Sequence, residues 1–271
     1  MGLFFKKRNV KPIFVGSYGN NMTRGMYVFH LDIDNGEILK KKFYKSLANP
    51  TALFKRERFI YVCYKNHTGK KTDGGLWQYA TMDLQFGLAG KATCQGKTYM
   101  SCFVNENRDF AYAVDYYNGE VVTIAILKQK IVKVTQTIKH EGHGLDSKRQ
   151  SEAHPHFIEQ TPDQKRMFVC DLGTDEVVLY KVGEKGRLER DEENSFQLAP
   201  GSGPKKMIFT PDGKYAYVLN ELSNTVCVYS YQDCQLILIQ KMNIRKKAWL
   251  VILLLVKKVT IYLCQTVDMI Q

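Results

Sequence analysis

The chain has seven cysteines but no CxxC pair and no metal-like Cys/His spacing. Cys63, Cys170 and Cys227 lie inside apolar, strand-like runs and read as small buried hydrophobes. Such cysteine usage fits a reducing, cytoplasmic setting. The N-terminal "MGLFFKKRNVKP" has no apolar core of signal-peptide length. No apolar run approaches the ~20 residues that span a bilayer; "AWLVILLLV", near the end, is too short, so no membrane association is expected. Also missing are a G-x-S-x-G elbow, a P-loop and a G-x-G-x-x-G turn. Their absence leaves no nucleophilic serine elbow and no fingerprint for a nucleotide. Before residue 240 no helical stretch stands out.

The net charge is +12. Its Lys and Arg are scattered rather than gathered on one stripe, which argues against a nucleic-acid partner. A solvated basic surface and an anionic small substrate remain as two readings. The chain is 44% hydrophobic and 24% charged, as in ordinary globular proteins. Its 16 Tyr and 14 Phe, beside many Val and Ile, favour strands.

A repeat runs along the chain. In "PHFIEQTPDQKRMFVCDLGTDEVVLYKV" and "PKKMIFTPDGKYAYVLNELSNTVCVYSY", Pro155 falls on Pro204, His156 on Lys205, and Cys170-Asp171-Leu172 on Leu219-Asn220-Glu221. The offset is about 49 residues, near the period of propeller blades. Fainter copies start at Asn49 and Thr98. Each unit reads as strand, turn (PDQK, PDGK), strand, polar corner and strand. A fourth strand follows turns such as "DIDNGEI", "GEKGRLE" and "YQDCQLI". One four-stranded unit cannot bury both faces alone, so an all-β propeller is expected. Roughly five blades fit before Gln240, with "PIFVGSY" as a first strand.

"RQSEAHPHF…CDLGTDEVV" and "GSGPKKMIF…LNELSNTV", with "FVGSYGN" near the N-terminus, resemble the seven-bladed propeller lactonases. That family includes propeller-type 6-phosphogluconolactonases and carboxymuconate-lactonising enzymes. The resemblance covers about Lys11 to Gln240. It implies seven four-stranded blades, about five to five and a half of them encoded here. It further implies hydrolysis of a small anionic sugar δ-lactone, 6-phosphogluconolactone foremost, with no metal or organic cofactor. A lactonising or cycloisomerase activity and a non-catalytic binding propeller are the alternatives.

The positions matching the family's catalytic residues are His156, Lys205 and Glu221. Lys205 stands where the family usually has Arg, and keeps the charge without the planar two-pronged donor. Lactone hydrolysis needs a base for water and positive charge near the developing oxyanion, and these three residues supply such groups without a covalent nucleophile. His154, Arg149 and Gln150 are candidates for substrate binding. Each has a plainer reading: His156 as a histidine beside a turn, His154 as a residue shaping the strand entry, Lys205 as half of a solvated pair, Glu221 as a corner residue, Arg149 and Gln150 as polar loop. Asp171 and Asp175 read as turn anchors.

Residues 1–240 are thus expected to form an incomplete propeller domain, and 241–271 a tail outside it. Read one base over, the codons of Cys264 to Ile270 permit Ser-Asn-Arg-Gly-Tyr-Asp, a blade-like segment. A frameshift would leave open sheet edges, an unpaired N-terminal strand, and a chain that folds poorly and works weakly.

Overall fold

The computed structural model describes residues 8–17, 25–44, 49–68, 71–82, 85–244 and 263–264. The tail reading falls mostly on residues 245–262 and 265–271, outside the described residues.

The strands follow the repeat. The first sheet contains β1 (Val10–Ser17), β2 (Gly25–Asp32) and β3 (Ile38–Tyr44). The second runs β4 (Pro50–Arg56), β5 (Phe59–Thr68), β6 (Lys71–Met82) and β7 (Gln85–Gln95). The third runs β8 (Tyr99–Val104), β9 (Phe110–Asp115), β10 (Glu120–Leu127) and β11 (Lys130–Lys139). In the fourth, β12 (Pro155–Gln160), β13 (Arg166–Asp171), β14 (Glu176–Val182) and β15 (Leu188–Arg190) are joined by β16 (Phe196–Gln197) on β14. The fifth runs β17 (Pro204–Phe209), β18 (Tyr215–Asn220), β19 (Thr225–Gln232) and β20 (Gln235–Asn243). In the second to fifth sheets, consecutive strands pair antiparallel, as the blade reading requires.

Burial changes across each blade. The middle strand β10 is buried along six consecutive positions, on both faces, because sheets lie against both. The outer strand β3 carries Lys40, Lys41 and Lys42 towards solvent, which protects its edge. Four apolar cores join the five sheets in series. Met26, Val28 and Val62 lie between the first and second; Tyr61, Leu76 and Ile124 between the second and third. Tyr112, Val169 and Tyr180 lie between the third and fourth; Phe168, Met207 and Val218 between the fourth and fifth. Sheets stacked face to face with their first strands adjoining (β4 beside β8, β8 beside β12, β12 beside β17) form part of a propeller.

One expectation is corrected. The N-terminal strand is not unpaired: β1 pairs with β2 along all eight residues. Its other side meets β21 (Leu263–Cys264) in a two-residue parallel pairing. A meander supplies β1 with a partner locally, so pairing does not require a distant blade.

Candidate active site

The same irregularity recurs in four blades. Where the first strand pairs with the second, the register slips by one residue: between Pro50 and Ala52, Tyr99 and Ser101, Pro155 and Phe157, and Pro204 and Lys206. Each slip is a bulge that sets two residues of the first strand against one of the second. The extra residues are Thr51, Met100, His156 and Lys205. Bulges re-aim a side chain away from the pleat, and this explains how Lys205 parts from its neighbour Lys206. The Lys205 amine lies 2.5 Å from a Glu221 oxygen, while the Lys206 amine sits over the Phe157 ring.

A second equivalent position directly follows the second-strand residue that pairs with the start of the first strand. The N–H groups of Lys65, Leu172 and Glu221 donate to the carbonyls of Asn49, His154 and Gly203, each two residues before a bulge. Pairing of Tyr99 with Asp115 places Tyr116 at this corner in the third blade. Bulge and corner residues from neighbouring blades therefore meet at one end of the inner strands.

Glu221 gathers two cations. Its Oε1 accepts from Arg149 at 2.7 Å and its Oε2 faces Lys205 Nζ at 2.5 Å. Burial alone would raise the Glu221 carboxyl. The adjoining Lys205 charge, with the hydrogen bond from Arg149, outweighs it, so the carboxyl lies below its ordinary range. Burial raises the Tyr116 hydroxyl above its ordinary range, with the nearby Arg149 charge opposing it. The His156 imidazole is pushed down to about 3, first by burial and then by the Lys205 charge, with Glu221 opposing. At neutral pH it is uncharged, and the depression makes it a weaker base than a free imidazole.

His154 stacks on Tyr116, with centroids 4.3 Å apart and planes 7° apart, and its Nδ1 is 2.9 Å from the Tyr116 carbonyl oxygen. A carbonyl can only accept, so Nδ1 carries the hydrogen. Tyr116 meets His156 edge-on at 5.7 Å. The structure thus brings His156, Lys205, Glu221, Arg149 and His154 together around Tyr116. Gln150 is not at this surface. It is buried, its amide donates to Leu172 O and Asp175 Oδ1, and its Oε1 accepts from Asp146 N–H. It braces the loop carrying Arg149.

The supports beneath are polar and buried. Asp171 Oδ1 receives the N–H groups of His154, Gly173 and Thr174, and its Oδ2 lies 2.7 Å from His140 Nδ1. His140 Nε2 in turn lies 2.5 Å from the Tyr180 hydroxyl. Asp175 accepts from Gly201 N and Gly203 N. Gly203 has φ +60 and a Cβ there would strike Leu222, so glycine is required just before Pro204 and Lys205. Both aspartates anchor turns, as their sequence context predicts.

Sequence reasoning missed Tyr116 and His140. Extending the repeat to "VDYYNGEV" would have placed Tyr116 on Glu221; His140 lies in a connection without a repeat counterpart. Among the described residues, no group of three or more His, Cys, Asp or Glu is arranged to hold a metal ion. Nor is any described helix long and apolar enough to cross a membrane.

Comparison with known proteins agrees with this architecture. Residues 12–250 match the family model described as "Lactonase, 7-bladed beta-propeller". The uncharacterized protein YwcC of Lactococcus lactis is 32% identical over 82% of this chain and 63% of its own length. A 6-phosphogluconolactonase of Bacillus subtilis is 29% identical over 80% of this chain and 62% of its own. A crystal structure from Bacteroides fragilis, provisionally named a 6-phosphogluconolactonase, superposes with a TM-score of 0.79 at 26% identity, covering 86% of this chain and 67% of that one. The chain spans less than two thirds of the length of the two sequence relatives.

Proposed function

The chain belongs to the seven-bladed β-propeller lactonase family, and from this premise we propose that it hydrolyses a sugar δ-lactone, 6-phosphogluconolactone foremost, to the open-chain acid. The observation that carries the reading is the joint hold of Arg149 and Lys205 on Glu221, beside a neutral His156. The reaction needs no covalent enzyme intermediate. Water attacks the lactone carbonyl carbon while His156 accepts a proton from it. The carbonyl oxygen gains negative charge beside the Lys205 and Arg149 cations, which stabilise it. The tetrahedral intermediate then expels the ring oxygen, which takes the proton back from His156 and leaves as a hydroxyl. Glu221 keeps the two cations aimed at one point and compensates part of their charge. The substrate, a small anionic lactone, needs no nucleic-acid or membrane partner, and the setting proposed is the cytoplasm.

Hydrolysis of δ-gluconolactone and of its 6-phosphate, followed above the spontaneous rate, tests the reading. Weak turnover is expected with the purified chain, and it is expected to fall further in His156→Ala and Glu221→Ala variants that melt normally. Binding of the sugar acids with no turnover in any variant would identify a binding propeller instead.

A further inference from the structure

We propose that Lys65 and Tyr117 form an anion subsite at the same mouth, one that takes the phosphate monoester of a phosphorylated sugar lactone; the inference rests on the lactonase reading. Lys65, within β5, directly follows the residue paired with Pro50, as Glu221 follows the residue paired with Pro204 three blades on. Its N–H donates to Asn49 O at 3.0 Å, as that of Glu221 donates to Gly203 O at 2.8 Å. Equivalent positions of a propeller face one axis, so Lys65 belongs to the mouth rather than to the outer wall. Its amine bridges to the next blade, donating to the Tyr117 hydroxyl at 3.0 Å and lying 4.2 Å from the centre of that ring. From there the row is continuous. The Tyr117 ring meets Tyr116 at 5.2 Å, and Tyr116 meets His156 at 5.7 Å.

Lys65 differs from the cations held at Glu221. Arg149 and Lys205 share Glu221, Lys97 faces Glu120, and Arg166 faces Asp191. Among the described residues Lys65 makes no ion pair with a carboxylate. A half-buried ammonium with a phenol as its partner keeps most of its charge for an incoming anion. Tyr117 is 53% exposed, so the pair is open to solvent. The two cations at Glu221 are committed to the carbonyl end, and a phosphate at the far end of the sugar requires its own. Lysine serves as a point charge for phosphate, and the Tyr117 hydroxyl adds a second donor.

The test is calorimetric titration of the whole chain with 6-phosphogluconate, gluconate and inorganic phosphate, separately. Wild type is expected to bind 6-phosphogluconate more tightly than either of the others. Lys65→Met is expected to weaken 6-phosphogluconate at least about tenfold, as loss of a charged hydrogen bond does, and to leave gluconate unchanged. Lys65→Arg, which restores the charge, should recover most of the loss. Equal affinity of wild type for phosphorylated and plain acid overturns the subsite. So does a Lys65→Met effect that is absent or is shared by gluconate. Inorganic phosphate binding as tightly as the sugar phosphate overturns its assignment to a sugar ester. Because the readout is binding, a chain that shows the expected pattern yet hydrolyses nothing overturns the lactonase reading alone.

Discussion

Lys205 Nζ and Glu221 Oε2 lie 2.5 Å apart although one residue is the bulge of β17 and the other the corner after β18. The contact turns two surface-type residues into a single element of the site. With Arg149 on the other oxygen, the carboxylate is shared. Glu221→Gln should therefore disturb both cations at once and lower kcat/KM by about 100-fold. Lys205→Met should cost a similar or larger factor, on the scale of lost oxyanion stabilisation. The check is steady-state kinetics beside thermal melts; variants that melt normally and keep full activity would remove both residues from the mechanism.

His156 sets the expected pH dependence. Its neutral form accepts the proton, and that form persists above about 3. Activity should therefore show no acid limb near the ordinary histidine value, and the limb should move upward in Lys205→Met, where the second cause of the depression is gone. Stability follows the same sign. The folded value lies below the unfolded one, so the contribution is complete above about 6.5, fades as the pH falls, and is lost towards about 3. Melting temperatures across this window should fall more steeply for wild type than for His156→Asn.

Asp171 should prove structural first and kinetic second. It is buried and anchors the backbone of His154 as well as the His140 ring. Asp171→Ala strands these groups and is expected to cost about 3 kcal/mol or more. Denaturant melts should show it. An Asp171→Ala variant as stable as wild type would show that the anchors are dispensable.

The fifth sheet should limit solubility. Ile237, Leu238 and Ile239 are 64%, 53% and 55% exposed in succession on β20, which pairs among the described residues with β19 alone. An apolar edge of this kind favours pairing with another chain. Ile239→Lys is expected to reduce aggregation in light scattering without lowering the melting temperature. Unchanged aggregation would place the sticky surface elsewhere.

The gene offers a separate check. Bases beneath Lys246 to Gln271 are expected to carry, one position over, a blade-like frame with a Ser-Asn-Arg-Gly segment. Sequencing that encodes nothing of the kind ends the frameshift reading.

Much of the fold was legible because the repeat aligned turns as well as apolar residues. Pro155 and Pro204 do pair at equivalent positions, with Asp171 and Asn220. The bulges were not legible, since a slip of one residue changes pairing without changing composition. The site was partly legible. His156, Lys205 and Glu221 came from the motif pair. The reach of Arg149 across 72 residues to Glu221 has no local signature. Gln150 looked like exposed loop because polar residues usually are, yet its three hydrogen bonds allow it to be buried.

The four bulges carry a consequence for how such a protein acquires chemistry. A bulge position is released from the one-to-one pairing that fixes its neighbours, so each of these positions behaves as a socket open to different side chains. Thr51, Met100, His156 and Lys205 already fill four sockets with four kinds of side chain. Reactivity can therefore be rewritten one blade at a time, and Met100, beside the blade of His156, is the position where a new acid or base would ask least of the fold.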